Sequence, residues 1–348
     1  MSNQEGIINR DGQTISKEER DSAKTALKQE FGLRQILGKS RAIRDIHNKI
    51  RHVASFDVNV LISGESGTGK ELVARAIHYS GSRAGKPFIP VNCGAIPENL
   101  FENELFGHLK GAFTDANYQQ VGLVKAAEGG TLFLDEIGTI SSYIQVKFLR
   151  LLENKEYKPL GDSMSHKADI RIIAATNTPL IDLVNKGSFR DDLYYRLNVT
   201  YFHIPPLRKR KEDIPLLVNH FVNKYSKKFN KPSIKIPPEA LRAFVSNPWK
   251  GNIRELENMI QQLIIMSEAT ELDVKQIPLP KTESTDEIES FKLAKMKAIN
   301  NFEKSLLIQV LTEHNGSVAS AAIKLKKSRT ALWNLIKKHN ISPKQFRL

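Results

Sequence analysis

Residues 64–71 read Gly-Glu-Ser-Gly-Thr-Gly-Lys-Glu and follow an apolar, β-forming run, Val58-Asn-Val-Leu-Ile62. A helical stretch, Leu72-Val-Ala-Arg-Ala-Ile-His78, comes straight after. Strand, glycine-rich loop, lysine and helix in that order specify a phosphate-binding loop. Glycines let backbone N–H groups turn inward onto phosphate oxygens, and the positive end of the following helix adds to that field. Lys70 supplies a point charge for the outer phosphates. An ordinary glycine turn is the alternative, and the agreement of glycines, lysine and flanking elements argues against it. Gly64, Glu65, Ser66, Gly67, Thr68, Gly69, Lys70 and Glu71 are therefore read as the binding loop for a nucleoside triphosphate. The general pattern ends in Lys-Ser/Thr, whose hydroxyl ligates Mg²⁺; here Glu71 stands in that place.

Such a loop belongs at the edge of a parallel sheet. Residues 34–207 alternate β-type runs, clearest at 58–62, 88–91, 131–134 and 170–174, with helical patterns, which implies an α/β domain with helices on both faces. Pro205-Pro206 breaks that alternation, and 208–278 reads as an all-helical lid with helices at 214–229, 238–245 and 252–266. Residues 279–292 are expected to be a linker, since 278–290 lacks a hydrophobic face. A helical module fills 293–348. The polar segment 1–33 is too short to be a sensor domain, although Ser16-Lys-Glu-Glu19 suits the start of a short helix.

The charge is uneven. The chain carries a formal +14, and residues 291–348 hold twelve Lys and Arg against Glu303 and Glu313. A basic terminal module points to nucleic acid, with a merely solvated basic face as the bland alternative. Cys93 is the single cysteine, which excludes a disulfide framework and fits a reducing cytoplasm. No apolar run approaches a membrane span, and the nine histidines form no convincing ligand pair.

Thr131-Leu-Phe-Leu-Asp135-Glu136 is an apolar strand ending in two carboxylates. A buried strand delivers them to the sheet edge where α/β ligands bind. Asp135 suits Mg²⁺, and Glu136 suits activation of the attacking water. Asn177 ends the next apolar strand and could reach a γ-phosphate or its water. Arg190, Arg196 and Arg254 fall where phosphoryl charge needs stabilising, although each in isolation reads as a surface ion pair.

Taken together, 64–71, Glu104-Leu-Phe-Gly-His108, Gly111-Ala-Phe-Thr114, 129–136, 189–198 and 251–258 make the chain resemble the AAA+ module of bacterial enhancer-binding proteins, the ATPases that activate sigma-54 RNA polymerase. The resemblance covers about 34–278, and the Gly-Ala-Phe-Thr loop is its most specific part. It implies ATP and Mg²⁺ as cofactors and the 111–116 loop (Gly111, Ala112, Phe113, Thr114, Asp115, Ala116) as the sigma-54 contact. It also implies Arg190 and Arg196 as fingers reaching a neighbour's ATP in a ring, usually a hexamer. Arg254 would be the lid's nucleotide sensor, Asn92 the restraint on Glu136, and 155–167 a second surface loop moving with the first. A Glu after the lysine is normal in similar proteins. Two departures are Asp115, where the common loop has a second Gly, and Lys250, where it has Pro. Family members often begin with a receiver or ligand-sensing domain; its absence here implies a separate regulatory protein or a shortened form.

The tail reads as three short helices over 302–340. Phe302, Leu306, Leu307, Val310 and Leu311 space as one apolar face, and Asn315-Gly316 closes that helix. Val318, Ala321, Ala322 and Leu325 point inward from the second. Ser328 caps a third whose Leu332, Leu335 and Ile336 face the core. Arg329, Thr330, Trp333, Asn334, Lys337 and Lys338 face outward as candidate DNA contacts. This is a helix-turn-helix arrangement similar to Fis-type domains, with Lys326 where the turn usually has Gly. The expected function is activation of sigma-54 polymerase from upstream DNA. The rivals are an ATP-switched DNA-binding regulator acting without sigma-54 and a generic AAA+ remodeller, which predicts no specific DNA site.

Overall fold

The computed structural model describes residues 30–114, 116–232, 234–267, 291–339 and 341–346, together with 7–8, 14–15, 22 and 25–27 near the N-terminus. The cap at 16–19, Asp115 and the 279–290 part of the linker lie outside the described residues. The chain divides into two compact units, Met1–Pro278 and Leu279–Leu348.

In the first unit, β1 (Ile7–Ile8) and β2 (Thr14–Ile15) form a short antiparallel pair. The main sheet is built from β3 (Val60–Ser63), β4 (Phe88–Asn92), β7 (Thr131–Asp135), β10 (Arg171–Thr176) and β11 (Thr200–His203). Its strands are all parallel and run in the order β11-β3-β10-β7-β4. Two short antiparallel pairs project from it: β5 (Gly107–His108) with β6 (Gln120–Val121), and β8 (Glu156–Tyr157) with β9 (His166–Lys167).

Strand residues alternate between two apolar layers. Val60, Ile62, Phe133, Ile173, Ala175 and Phe202 pack against Ile43, Ile46 and Ile50 of the helix Arg41–Val53 and against Val73, Ala74 and Ile77 of the helix Lys70–Ser80. Leu61, Leu132, Leu134, Ile172 and Ala174 face the other way, onto Phe101, Leu105, Phe148, Leu151 and Leu193. Cover on both faces is why the central strands read as continuous apolar runs. β11 lacks that signal because it is an edge strand: Phe202 is buried while Tyr201 and His203 are exposed. β3 starts at Val60, two residues later than the sequence suggests.

The lid helices are Ile214–Lys228, Pro238–Ser246 and Asn252–Met266, and the first and third pack together. They bury Leu217, Val218, Phe244, Trp249, Leu256 and Ile260.

The second unit differs from the expected three short helices. Its first helix is a single 23-residue element, Phe291–Glu313, followed by Val318–Lys324 and Arg329–Lys338. Leu307, Val310, Leu311, Ala321, Ala322, Leu332 and Ile336 form its core. Phe302, expected on that face, is exposed. Glu303, one turn before Leu307, faces the third helix instead, accepting from Lys338 Nζ at 2.9 Å and bonded to the His339 ring at 3.0 Å. Asn315 and Gly316 both have positive φ, and Gly316 N–H bonds Leu311 C=O at 2.8 Å, closing the first helix. Ser317 and Ser328 cap the next two.

Lys326, in the turn before the capped third helix, has φ +51°. A left-handed non-glycine residue costs on the order of 1 kcal/mol. Lys326→Gly is therefore expected to raise the unfolding midpoint of the tail, by about 0.5–1 kcal/mol in stability. Urea unfolding of the full chain, followed through tail amides by hydrogen exchange, checks this.

Candidate functional site

The phosphate loop leaves β3 at Gly64, whose N–H bonds Thr176 C=O of β10 at 3.2 Å. Gly67 and Gly69 have φ +74° and +98°, conformations that turn the loop back on itself before the helix Lys70–Ser80 begins. The Lys70 side chain is buried, and its ammonium donates to the C=O groups of Gly64 at 3.0 Å and Glu65 at 3.3 Å. Burial pulls its pKa below the ordinary lysine value, and the Asp135 and Glu136 carboxylates oppose that pull. Glu71 is bonded to Arg75 Nε at 2.8 Å, on the helix surface.

A cavity of about 550 Å³ opens over this loop. Ser66–Glu71, Asn92, Asp135, Glu136 and Arg254 line it, which brings together five of the sequence-derived candidate groups. Asn177, Arg190 and Arg196 do not line it. The cavity has a wall that sequence reasoning missed: Ile36, Leu37, Ile43 and Ile46 on one side, Leu217 and Phe221 of the lid on the other. Scattered apolar residues of separate helices carry no motif, so only the fold assembles them.

At the end of β7, Asp135 Oδ1 accepts the Glu136 N–H at 3.0 Å. Glu136 itself is left-handed at φ +58°, an uncommon state for a non-glycine residue and one that concentrates at working sites. Its carboxylate lies over Gly94, where an added Cβ would fall 2.5 Å from Oε2. Asn92 sits beside it in the neighbouring strand, but its side-chain oxygen accepts from the Gly94 and Ala95 N–H groups at 2.9 and 3.1 Å. Asn92 and Glu136 thus frame the same turn. Cys93 is buried behind the two carboxylates, with its thiol pushed up to about 12 by burial and by their charge, so it stays protonated.

The chemistry of this donor set fits a magnesium nucleotide. Among the described residues no three His, Cys, Asp or Glu side chains cluster to hold a metal alone. Mg²⁺ ordinarily binds through one or two carboxylates plus substrate phosphates, and Asp135 beside the loop fits that pattern. Arg210, also unforeseen, is buried in the cavity wall; it donates to Thr68 C=O at 3.3 Å, and its Nε has no partner among the described residues.

The three arginines part company. Arg254 belongs to the cavity and donates to Ser66 Oγ at 3.2 Å. Arg190 is exposed and held by Asp192 at 2.7 Å, and Arg196 lies 3.4 Å from Glu153. Asn177 is exposed at the end of β10, accepting from Thr178 Oγ1 at 3.3 Å.

Residues 111–114 and 116 lie between β5 and β6 of the hairpin. Gly111 has φ +82°, and its N–H bonds Ala116 C=O at 2.8 Å. Thr114 is exposed and Phe113 is 45% exposed, with one side of its ring 5.0 Å from His108. Ala116, a candidate contact by sequence, is buried and serves the loop's base. The second loop is joined to this hairpin: Leu160 N–H bonds Gly107 C=O at 2.9 Å, and Leu109 N–H bonds Leu160 C=O at 3.0 Å. A Cβ on Gly161 would meet that of Ala112 at 2.7 Å. In the tail, Arg329, Thr330, Trp333, Asn334, Lys337 and Lys338 are exposed on the third helix, with Lys338 tied to Glu303.

A parallel sheet with a phosphate loop and paired carboxylates, a helical lid on that loop and a basic helix-turn-helix tail define an AAA+ nucleotide-binding regulator. Comparison with known proteins makes this specific. Residues 36–203 match the Sigma-54 interaction domain, 208–291 the AAA+ ATPase lid domain, and 298–339 the Bacterial regulatory protein, Fis family. The chain is 43% identical over 314 residues to regulatory protein AtoC of Escherichia coli K12, covering 88% of this chain and 68% of AtoC. It is 40% identical over 323 residues to nitrogen fixation protein AnfA of Azotobacter vinelandii, covering 93% of this chain and 61% of AnfA. The crystal structure of NtrX from Brucella abortus in complex with ADP superposes with a TM-score of 0.66 at 32% identity, over 93% of this chain and 73% of that one. The chain belongs to the family of sigma-54-dependent transcriptional activators. Among the described residues no helix is long and apolar enough to cross a membrane.

Lys70→Ala is expected to abolish tight nucleotide binding, because the phosphates lose their fixed cation. Glu136→Gln is expected to keep binding and to lower turnover by about 10²–10⁴-fold, the range for loss of a general base. Nucleotide titration and phosphate release on both variants check the two roles.

Proposed function

We propose that this chain binds upstream DNA through its tail, assembles a ring through its AAA+ module and hydrolyses ATP to remodel the sigma-54 RNA polymerase closed complex into an open one. The observation that carries this reading is the Gly111-Ala-Phe-Thr114 tip, exposed on a hairpin whose base is bonded to the second loop. An aromatic ring and a threonine at such a tip have no folding role large enough to explain them, and a partner contact does. The family match over 36–203 weighs against a regulator that works without sigma-54.

The residues divide the labour as follows. The loop N–H groups and Lys70 hold the phosphates, and the apolar wall takes the base. Asp135 would hold Mg²⁺, which would supply neutralisation of phosphate charge. Glu136 accepts the proton of the attacking water, and Asn177 orients that water or the γ-phosphate. Arg190 and Arg196 serve the neighbouring subunit's site, in keeping with their exposure and with neither lining this chain's own cavity. Asn92 and Glu136 sit at one end of the segment 93–106, and the β5–β6 hairpin begins at its other end. Release of Glu136 from the Gly94 turn would therefore shift the helix Glu98–Phe106 and the loop beyond it. Partners are sigma-54 polymerase, enhancer DNA and further copies of the chain in a ring, usually a hexamer, all in the cytoplasm.

In mixtures of Arg196→Ala and Glu136→Gln proteins, each inactive alone, ATPase activity should partly return, since some interfaces pair an intact Glu136 with an intact Arg196. No recovery at any ratio, with mixed rings confirmed, would count against fingers acting in trans.

Thr114→Ala should retain nucleotide binding and most hydrolysis while losing capture of sigma-54 in the presence of ADP and aluminium fluoride. If the unaltered protein hydrolyses ATP but captures no sigma-54, the regulator that acts without sigma-54 becomes the better reading.

A further inference from the structure

We propose that Glu65, Arg208 and Asn252 form a latch that ties the phosphate loop to the lid and thereby positions Arg254 over the nucleotide. None of the three lines the nucleotide cavity, so they act through other residues. The inference rests on the loop being the nucleotide site.

Glu65 is out of place in a loop that holds a polyanion, because a free carboxylate there would repel phosphate. The structure turns it away and neutralises it. Arg208 donates to both of its oxygens, Nη1 to Oε2 at 2.7 Å and Nη2 to Oε1. Asn252 Nδ2 adds a bond to Oε2 at 3.2 Å and another to Ser66 C=O at 2.9 Å. The Arg208 guanidinium, with help from Asn252, holds the Glu65 carboxyl down at about 2. An exposed ion pair contributes little to global stability, so a bidentate pair at this spot calls for a positional explanation.

Arg208 lies in the turn Leu207–Lys209, where the chain passes from the sheet domain to the lid. Its neighbour Leu207 donates its N–H to Asn252 Oδ1 at 2.8 Å. Asn252 opens the lid helix that carries Arg254 and is left-handed at φ +57°. Such a conformation persists where the surroundings over-determine it, and here one amide bonds the joint, the loop carboxylate and the loop backbone at once. The flanking backbone is equally committed. Ile253 N–H bonds Gly67 C=O at 2.9 Å, and a Cβ on Gly67 would fall 2.2 Å from Gly251 C=O. Consecutive lid residues 251–254 thus grip the loop, and Arg254 reaches Ser66 Oγ from that grip. The latch makes loop, joint and lid helix one mechanical unit whose alignment sets where the Arg254 guanidinium points.

The test is a double-mutant cycle on the full chain, read by the KM and kcat of ATP hydrolysis and by titration with ADP. Arg208→Gln is expected to raise KM for ATP about tenfold, equivalent to about 1.4 kcal/mol, and to weaken ADP less. Arg208→Lys, which keeps the charge but not the fork, should fall between. Because Arg208 acts through Arg254, the Arg208→Gln/Arg254→Ala protein should be no worse than Arg254→Ala alone. Native-like KM in Arg208→Gln, or losses that multiply in the double variant, would overturn the latch. Should Arg208→Gln fail to fold, Glu65→Gln keeps the side-chain shape and carries the same cycle. Failure of the unaltered protein to bind ADP would instead overturn the nucleotide site itself.

Discussion

The close approach of the lid to the phosphate loop is the contact on which the rest of this structure depends. Gly67 has no side chain because the Gly251 carbonyl occupies the space where one would go. Backbone meets backbone there, and no flexible side chain can absorb a change in lid position. The loop in turn is fixed to the sheet by the Gly64 bond to Thr176 and by Lys70 reaching back to the loop carbonyls. A group that alters the loop therefore has to be felt by the lid.

The same economy governs the route outward. The strand ends carry Asn92, Asp135 and Glu136 side by side, and a short segment with one helix leads from them to the exposed hairpin. The hairpin does not stand alone, because Leu160 bonds to it on both sides of His108 and Gly161 admits the Ala112 methyl. Two loops bonded in this way present a surface wider than a single tip. At the head of that segment, Glu136 has a left-handed backbone.

Much of this was legible in the sequence because the candidate site residues come in short motifs. The loop and the two carboxylates could be read from local pattern and Arg254 from the family resemblance, and Ser66–Glu71, Asp135, Glu136 and Arg254 fall in one cavity. What was not legible depends on tertiary contact. β11 has one buried residue in four, too little for an apolar run. The apolar wall at Ile36, Leu37, Ile43, Ile46, Leu217 and Phe221 is gathered from two domains. Arg208 and Arg210 sit two residues apart in one basic run, yet one is exposed on Glu65 and the other is buried in the cavity wall. In the tail, Phe302 matched the helical period but Glu303 took the inner position, because Lys338 of the third helix and His339 just after it face it. Periodicity ranks faces by hydrophobicity and does not see a charged partner waiting across the gap.

The central claim is that this chain converts ATP hydrolysis into opening of a promoter by sigma-54 polymerase. The most direct measurement is heparin-resistant open-complex formation on a promoter carrying the chain's DNA site, with sigma-54 or sigma-70 polymerase, and with ATP or a non-hydrolysable analogue. The account predicts open complexes only with sigma-54 polymerase and hydrolysable ATP. Open complexes with sigma-70 polymerase, or with sigma-54 polymerase and the analogue, would contradict it.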